Sequence, residues 1–146
     1  MSGRVARWIV VVGLLAAFGW QLHVIWKQRQ AAHLRRQVET ASLAQAAGGR
    51  VVPTWVAASL RDLRRAAALD PLDPGIPMLV GSQYLLLNRS QEAVAAYQEA
   101  LALEPRPEFY LNLGRALTQA GDEEAAREAF HKAVVLDWRL RRHVPQ

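Results

Sequence analysis

The chain has 146 residues, a net charge of +5 and no cysteine. That is about the length of one domain, and it excludes disulfides, thiolate zinc sites and cysteine nucleophiles while leaving the redox compartment open. The charge is uneven: residues 1–26 carry +2, residues 27–56 carry +4, residues 57–138 carry −4 with twelve acids against eight bases, and residues 139–146 carry +3. A nucleic-acid binder concentrates positive charge on its folded part, so an acidic centre argues against one, and the basic flanks suit phospholipid headgroups or an acidic partner surface.

After a tail at residues 1–7, the run from Trp8 to Trp26 has no formal charge. As a helix it spans roughly 28 Å, near the hydrocarbon thickness of a bilayer. Trp8 and Trp26 stand at its ends, where indole favours the interface, with Trp20 between them; Arg4, Arg7, Lys27 and Arg29 flank it at headgroup level. A single transmembrane helix over 8–26 is expected. The competing reading is a cleaved signal peptide with Ala17 and Gly19 as the small residues before the cut; against it, apolar character continues through "WQLHVIW". Gly13 and Ala17 form a small-xxx-small face that another membrane helix could approach. His23, with Gly19 one turn before it, loosely resembles the small-xxx-His arrangement of bacterial light-harvesting polypeptides, which makes it a candidate pigment or haem contact; its place within about one turn of the interface equally suits a histidine reaching water or headgroups. No cofactor is expected on the main reading. The short arginine-bearing N-tail favours an inner (cytoplasmic) membrane location with the larger part of the chain periplasmic, although a bare count of flanking cations points the other way.

Residues 27–56 are expected to form a stalk and linker. "KQRQAAHLRRQVETASLAQAA" carries no helix breaker and would prolong the membrane helix into solvent; "GGRVVPT" would break it, with Thr54 capping a helix that begins near Trp55.

Beyond that the chain repeats itself. Shifted by 33 residues, "VGSQYLLLNRSQEAVAAYQEALALEP" (80–105) falls on "LGRALTQAGDEEAAREAFHKAVVLDW" (113–138) without a gap. Gly81 meets Gly114, Tyr84 meets Leu117, Ala93 meets Ala126, Tyr97 meets Phe130, and Ala100 meets Ala133. The spacings i, i+4, i+7 put these residues on the faces of two helices per unit. Small residues let the pair approach while Tyr97 and Phe130 fill the space between. Asn88 and Gly121 suit the turns, where a left-handed backbone is needed, and Pro105 ends a helix. Upstream, "SLRDLRRAAALDP" places Ser59, Leu63, Ala66 and Pro71 34 residues before Ala93, Tyr97, Ala100 and Pro105, a half-unit whose partner helix is not recognisable.

These residues resemble the tetratricopeptide repeat family at Leu113, Gly114, Leu117, Gly121, Asp122, Ala126, Phe130 and Ala133, with Tyr110 opening the motif. Pro77 and Trp138 depart from its pattern. The resemblance covers residues 57–138 and implies a short α-solenoid of about two and a half helical hairpins there; with the N-terminal transmembrane helix before it and a basic tail at 139–146 after it, an all-α chain is expected. It also implies a groove lined by the first helix of each unit: Met78, Ser82, Leu85 and Leu86 from one, Leu111, Arg115, Thr118 and Gln119 from the next. Too few basic residues line it to clamp a C-terminal carboxylate, and a hydrophobic segment is the better ligand; Leu85 and Leu86 packing against the upstream helix is the plainer alternative.

Two and a half units fall short of a self-sufficient stack, and no polar capping helix is expected after Phe130 and Val134. A neighbour should shield that end. The four histidines share no metal spacing, and no phosphate loop or nucleophile motif occurs, so neither an enzyme nor a metal site is expected. The expected function is a non-catalytic, membrane-anchored scaffold or adaptor, an accessory subunit on a larger membrane complex, with integral membrane proteins and the lipid bilayer as partners and neither nucleic acid nor a small-molecule ligand. A transient assembly factor and a pigment-contacting subunit are the alternatives.

Overall fold

The computed structural model describes the backbone of residues 2–47 and 52–145, with side chains over 8–42 and 52–145. Among these residues it is all-α. Helix α1 (Ser2–Ala47) is followed by α2 (Pro53–Leu69), α3 (Gly75–Leu86), α4 (Ser90–Leu103), α5 (Pro107–Ala120), α6 (Glu123–Leu136) and a 3-10 helix, η1 (Trp138–His143).

Helix α1 runs for 46 residues without a break, about 69 Å. Its two halves differ. From Trp8 to Trp26 every side chain is exposed, including Trp8, Phe18 and Trp20, and the helix is long and apolar enough there to cross a membrane. Past Lys27 the helix enters the folded body: Ala31 and Val38 are buried with Leu63 and Ala66 of α2 and Ile76 and Leu79 of α3. Arg35 pairs with Asp73 at 3.2 Å, and Gln83, wholly buried, donates from Nε2 to the Ser42 hydroxyl at 3.0 Å. The segment expected to be a solvated stalk is therefore helical but packed. It also supplies the partner that α2 lacked in the sequence, making a first hairpin from the second half of α1 and α2. The expected break at "GGRVV" falls largely on residues 48–51, outside the described ones.

The remaining hairpins are α3–α4 and α5–α6, and each helix packs on the next in chain order. Their turns are built alike. Asn88 (φ 57°) and Gly121 (φ 86°) take the left-handed conformation. In each turn the next residue's N–H reaches back to a carbonyl five residues earlier, Arg89 to Tyr84 at 2.9 Å and Asp122 to Leu117 at 3.0 Å, satisfying carbonyls that the helix end leaves open. Asp122 then caps α6 by accepting from the Ala125 N–H at 3.1 Å. Helix α2 departs from expectation: its N-cap is Val52 with Pro53 at the first helical position and no side-chain cap, so Thr54 already lies inside the helix. Proline does the work there because its fixed φ suits a first turn whose N–H needs no partner.

Both repeat units close on a glycine. A Cβ on Gly81 would lie 2.8 Å from the Tyr97 ring, and one on Gly114 2.5 Å from the Phe130 ring. The core around these contacts joins α3 to α6, with Val94, Leu111, Leu113 and Leu117 buried in it. Leu140 and Val144 of the C-terminal segment pack against the same core. The end expected to lie open is thus partly covered by the chain's own η1, while Val135, Leu136 and Trp138 stay exposed.

Alternating direction puts the ends of α2, α4 and α6 on one edge of the array. Arg35, nearer the apolar half of α1, meets the α2–α3 turn, whereas Ser42, further along, meets Gln83. That edge consequently faces the apolar half of α1. The α4–α5 turn lies beside it: Arg106 is held charged chiefly by Glu104, with smaller contributions from Glu108 and from Asp73 across the neighbouring turn.

Candidate partner-binding groove

Helices α1, α3 and α5 are linked side by side. The Gln83–Ser42 hydrogen bond ties α1 to α3, and Gln119 at the end of α5 donates to the Asn88 side-chain oxygen just past α3 at 2.9 Å. Between α3 and α5 lies a polar seam. The Ser82 hydroxyl donates to the Met78 carbonyl and lies 3.1 Å from the Tyr97 hydroxyl. Arg115 donates from Nη1 to the Asn112 side-chain oxygen at 3.3 Å, and Thr118 bonds back to the Gly114 carbonyl. Tyr97 rises from α4 with its ring 1% exposed. Burial pushes its hydroxyl above the usual phenol range, opposed by the Ser82 hydrogen bond and the Arg115 charge.

Of the eight residues expected to line a groove, Ser82, Arg115, Thr118 and Gln119 share this seam or its end, and Leu86 stands 38% exposed beside it. Met78 and Leu85 are half-buried against the core. Leu111 is buried at 6% exposure in that core, so it is not a surface lining residue. Its side chain faces the layer between helices because the hairpin's inward stripe on α5 is wide. One contributor escaped the sequence reading, Asn88, which bridges to Gln119; the buried Tyr97 hydroxyl closes the seam from beneath without lining it. The 15-residue separation of Ser82 and Tyr97 carries no periodic signal.

The seam presents polar groups at Arg115 and Asn112 beside the exposed Leu86 and the half-buried Met78, while the Ser82 hydroxyl is already engaged with Met78 and Tyr97. It offers no activated nucleophile. Among the described residues no group of three His, Cys, Asp or Glu side chains is placed to hold a metal ion. His23 stacks on Trp26 of its own helix with ring centroids 6.0 Å apart, and Gly13 and Gly19 have open space beside them.

The tetratricopeptide repeat profile matches residues 78–107 and 107–137. No curated protein matches the sequence. Among solved structures, the chain is similar to MamA, with 22% identity over 63% of this chain and 51% of that one and a TM-score of 0.55. The matched part thus spans about half the length of that MamA chain. It is also similar to SycD, a type III secretion translocator chaperone of Yersinia enterocolitica, with 15% identity over 75% of this chain and 82% of that one and a TM-score of 0.59. At such identities the likeness is one of fold.

Proposed function

We propose that this chain, whose α3–α4 and α5–α6 hairpins match the tetratricopeptide repeat family over residues 78–137, is a non-catalytic protein-interaction scaffold, fixed in a membrane by α1 and serving as an accessory subunit of a larger membrane complex. The observation that carries this reading is the two-part character of α1. One half is bare and apolar over Trp8–Trp26, and the other is walled into the array at Ala31, Val38 and Ser42. A helix with an exposed run of this kind is an aggregation hazard in water and at ease in lipid. Continuity between the halves means that whatever the array grips is held close over the bilayer, at a height and angle that the tilt of α1 sets, on the periplasmic side of a cytoplasmic membrane. The gripping surface is the α3–α5 seam, and its ligand is an extended or helical segment of another integral protein, apolar against Leu86 and Met78 and hydrogen-bonded at Arg115 and Asn112.

A photo-crosslinking residue at Arg115, set against one at Gln98 on the exposed side of α4, tests this in native membranes. Arg115 should yield a discrete adduct and Gln98 none. Equal adducts at both positions, or none at either, would remove the seam as the binding surface. Adducts that vanish once a complex has matured would identify a transient assembly factor rather than a resident subunit.

A further inference from the structure

We propose that the C-terminal segment from Trp138 to Pro145 is a second membrane contact that holds anionic lipid headgroups; this rests on Trp8–Trp26 being a membrane span. Three observations converge on it. The first is position. Helix α6 ends on the edge of the array that faces the apolar half of α1, so η1 begins there. Arg35 meets that edge nine residues after Trp26, a rise of about 14 Å. The headgroup layer takes up roughly 5–7 Å of this. The extended arginine side chains and a Debye length of about 8 Å span the remainder.

The second is chemistry. Arg139, Arg141 and Arg142 are exposed, and the ion pairs among the described residues all lie elsewhere. Trp138 is 75% exposed and adjoins the exposed Val135 and Leu136. An indole beside clustered arginines is the composition that settles at an anionic interface. The acids on this edge are largely engaged: Asp73 with Arg35, Glu104 with Arg106, and Asp137 as acceptor of the Arg139 N–H at 3.0 Å. Asp70, Glu108 and Asp137, whose charge a backbone N–H does not cancel, remain against five cations at Lys27, Arg29, Arg139, Arg141 and Arg142.

The third is shape. Leu140 and Val144 pin the segment to the core, which leaves an open groove of about 1090 Å³ between it and α6. Phe130 and Val134 contribute apolar wall, and Arg127, His131 and the arginines of η1 line the remainder. A headgroup phosphate set among these arginines fits the basic part of that lining. Tethering by α1 keeps the lipid surface permanently within reach, a high effective concentration that no freely diffusing acidic segment enjoys.

The chain's lack of cysteine allows a clean test on the full protein in nanodiscs. A fluorophore on His143→Cys is read against a headgroup-borne nitroxide quencher, in discs of phosphatidylcholine alone or mixed with phosphatidylglycerol. Companion labels sit at Leu22→Cys in the span and at Gln91→Cys on the far edge. The expected result is loss of most of the fluorescence at 143 in the mixed discs only. High salt and the triple variant R139E/R141E/R142E should reverse that loss, and Gln91→Cys should stay bright throughout. If the triple variant does not fold, the salt arm decides alone. Leu22→Cys labelled with a lipophilic dye should be quenched by chain-borne nitroxide in both discs; failure there would overturn the span and the proposal together. Quenching at 22 with none at 143 would overturn the headgroup contact alone, including the case where these arginines serve an acidic protein segment.

Discussion

The Tyr97 ring lies against Gly81 as the Phe130 ring lies against Gly114. Replacing a helical glycine by alanine ordinarily gains about 0.5–1 kcal/mol of backbone entropy, whereas forcing a methyl into a packed layer loses about 1–3 kcal/mol. At Gly81 the second effect wins, since the atoms in the way belong to a ring that is itself buried. Gly81→Ala should therefore lower array stability by about 1–2 kcal/mol in urea titration, while Gly19→Ala, whose added methyl meets nothing within 4 Å, should leave it unchanged. Tyr97 also sets a pH dependence. Its folded-state pKa is raised by burial, so its contribution is complete below the unfolded value near 10 and is lost as pH climbs through the folded value. Stability should fall above pH 10, and Tyr97→Phe, though weakened by loss of the Ser82 hydrogen bond, should show a shallower fall in denaturant midpoints across that window.

At the level of elements, the two repeat turns were readable in advance. Asn88 and Gly121 occupy equivalent places, and a left-handed backbone admits few other residues. The first hairpin was not. Helix α2 shows large and small residues at the repeat's spacing, but among the described residues its partner in α1 contributes Ala31 and Val38 to the buried set, with Leu34 half-buried beside them, in a segment interspersed with charge and amide. Such a stripe is too thin to distinguish a packed helix from a solvated one, and the specificity comes instead from polar contacts made at long separation, Arg35 with Asp73 and Ser42 with Gln83. Val38→Asp should consequently unfold or severely weaken the array, by about 3 kcal/mol or more, because a carboxylate would be buried in the cluster that holds Leu63, Ala66, Ile76 and Leu79. The exposed neighbour change Gln37→Asp is the control. Equal urea midpoints for the two variants in detergent would mean that α1 merely leans on the array.

Over the whole molecule, α1 makes its apolar half and the array one mechanical body. Its 46 unbroken residues leave no hinge between Trp26 and the first hairpin, so the orientation of the α3–α5 seam follows that of the apolar half. The chain also shields its own far end in part, through Leu140 and Val144, which relaxes the need for a neighbour over Phe130. Exposure then concentrates at Val135, Leu136 and Trp138, on the same edge as the anchor.

Helical class, the apolar run and the pairing of Gly81 with Tyr97 and Gly114 with Phe130 were all present in the residue order, since each rests on short-range spacing or on a shape match that recurs after 33 residues. The polar contacts of the α3–α5 seam, the packing of α1 against α2 and α3 and the self-covering C-terminal turn emerged from the folded chain alone. They depend on how successive hairpins rotate against one another, and that rotation brings together side chains whose separation along the chain follows no period.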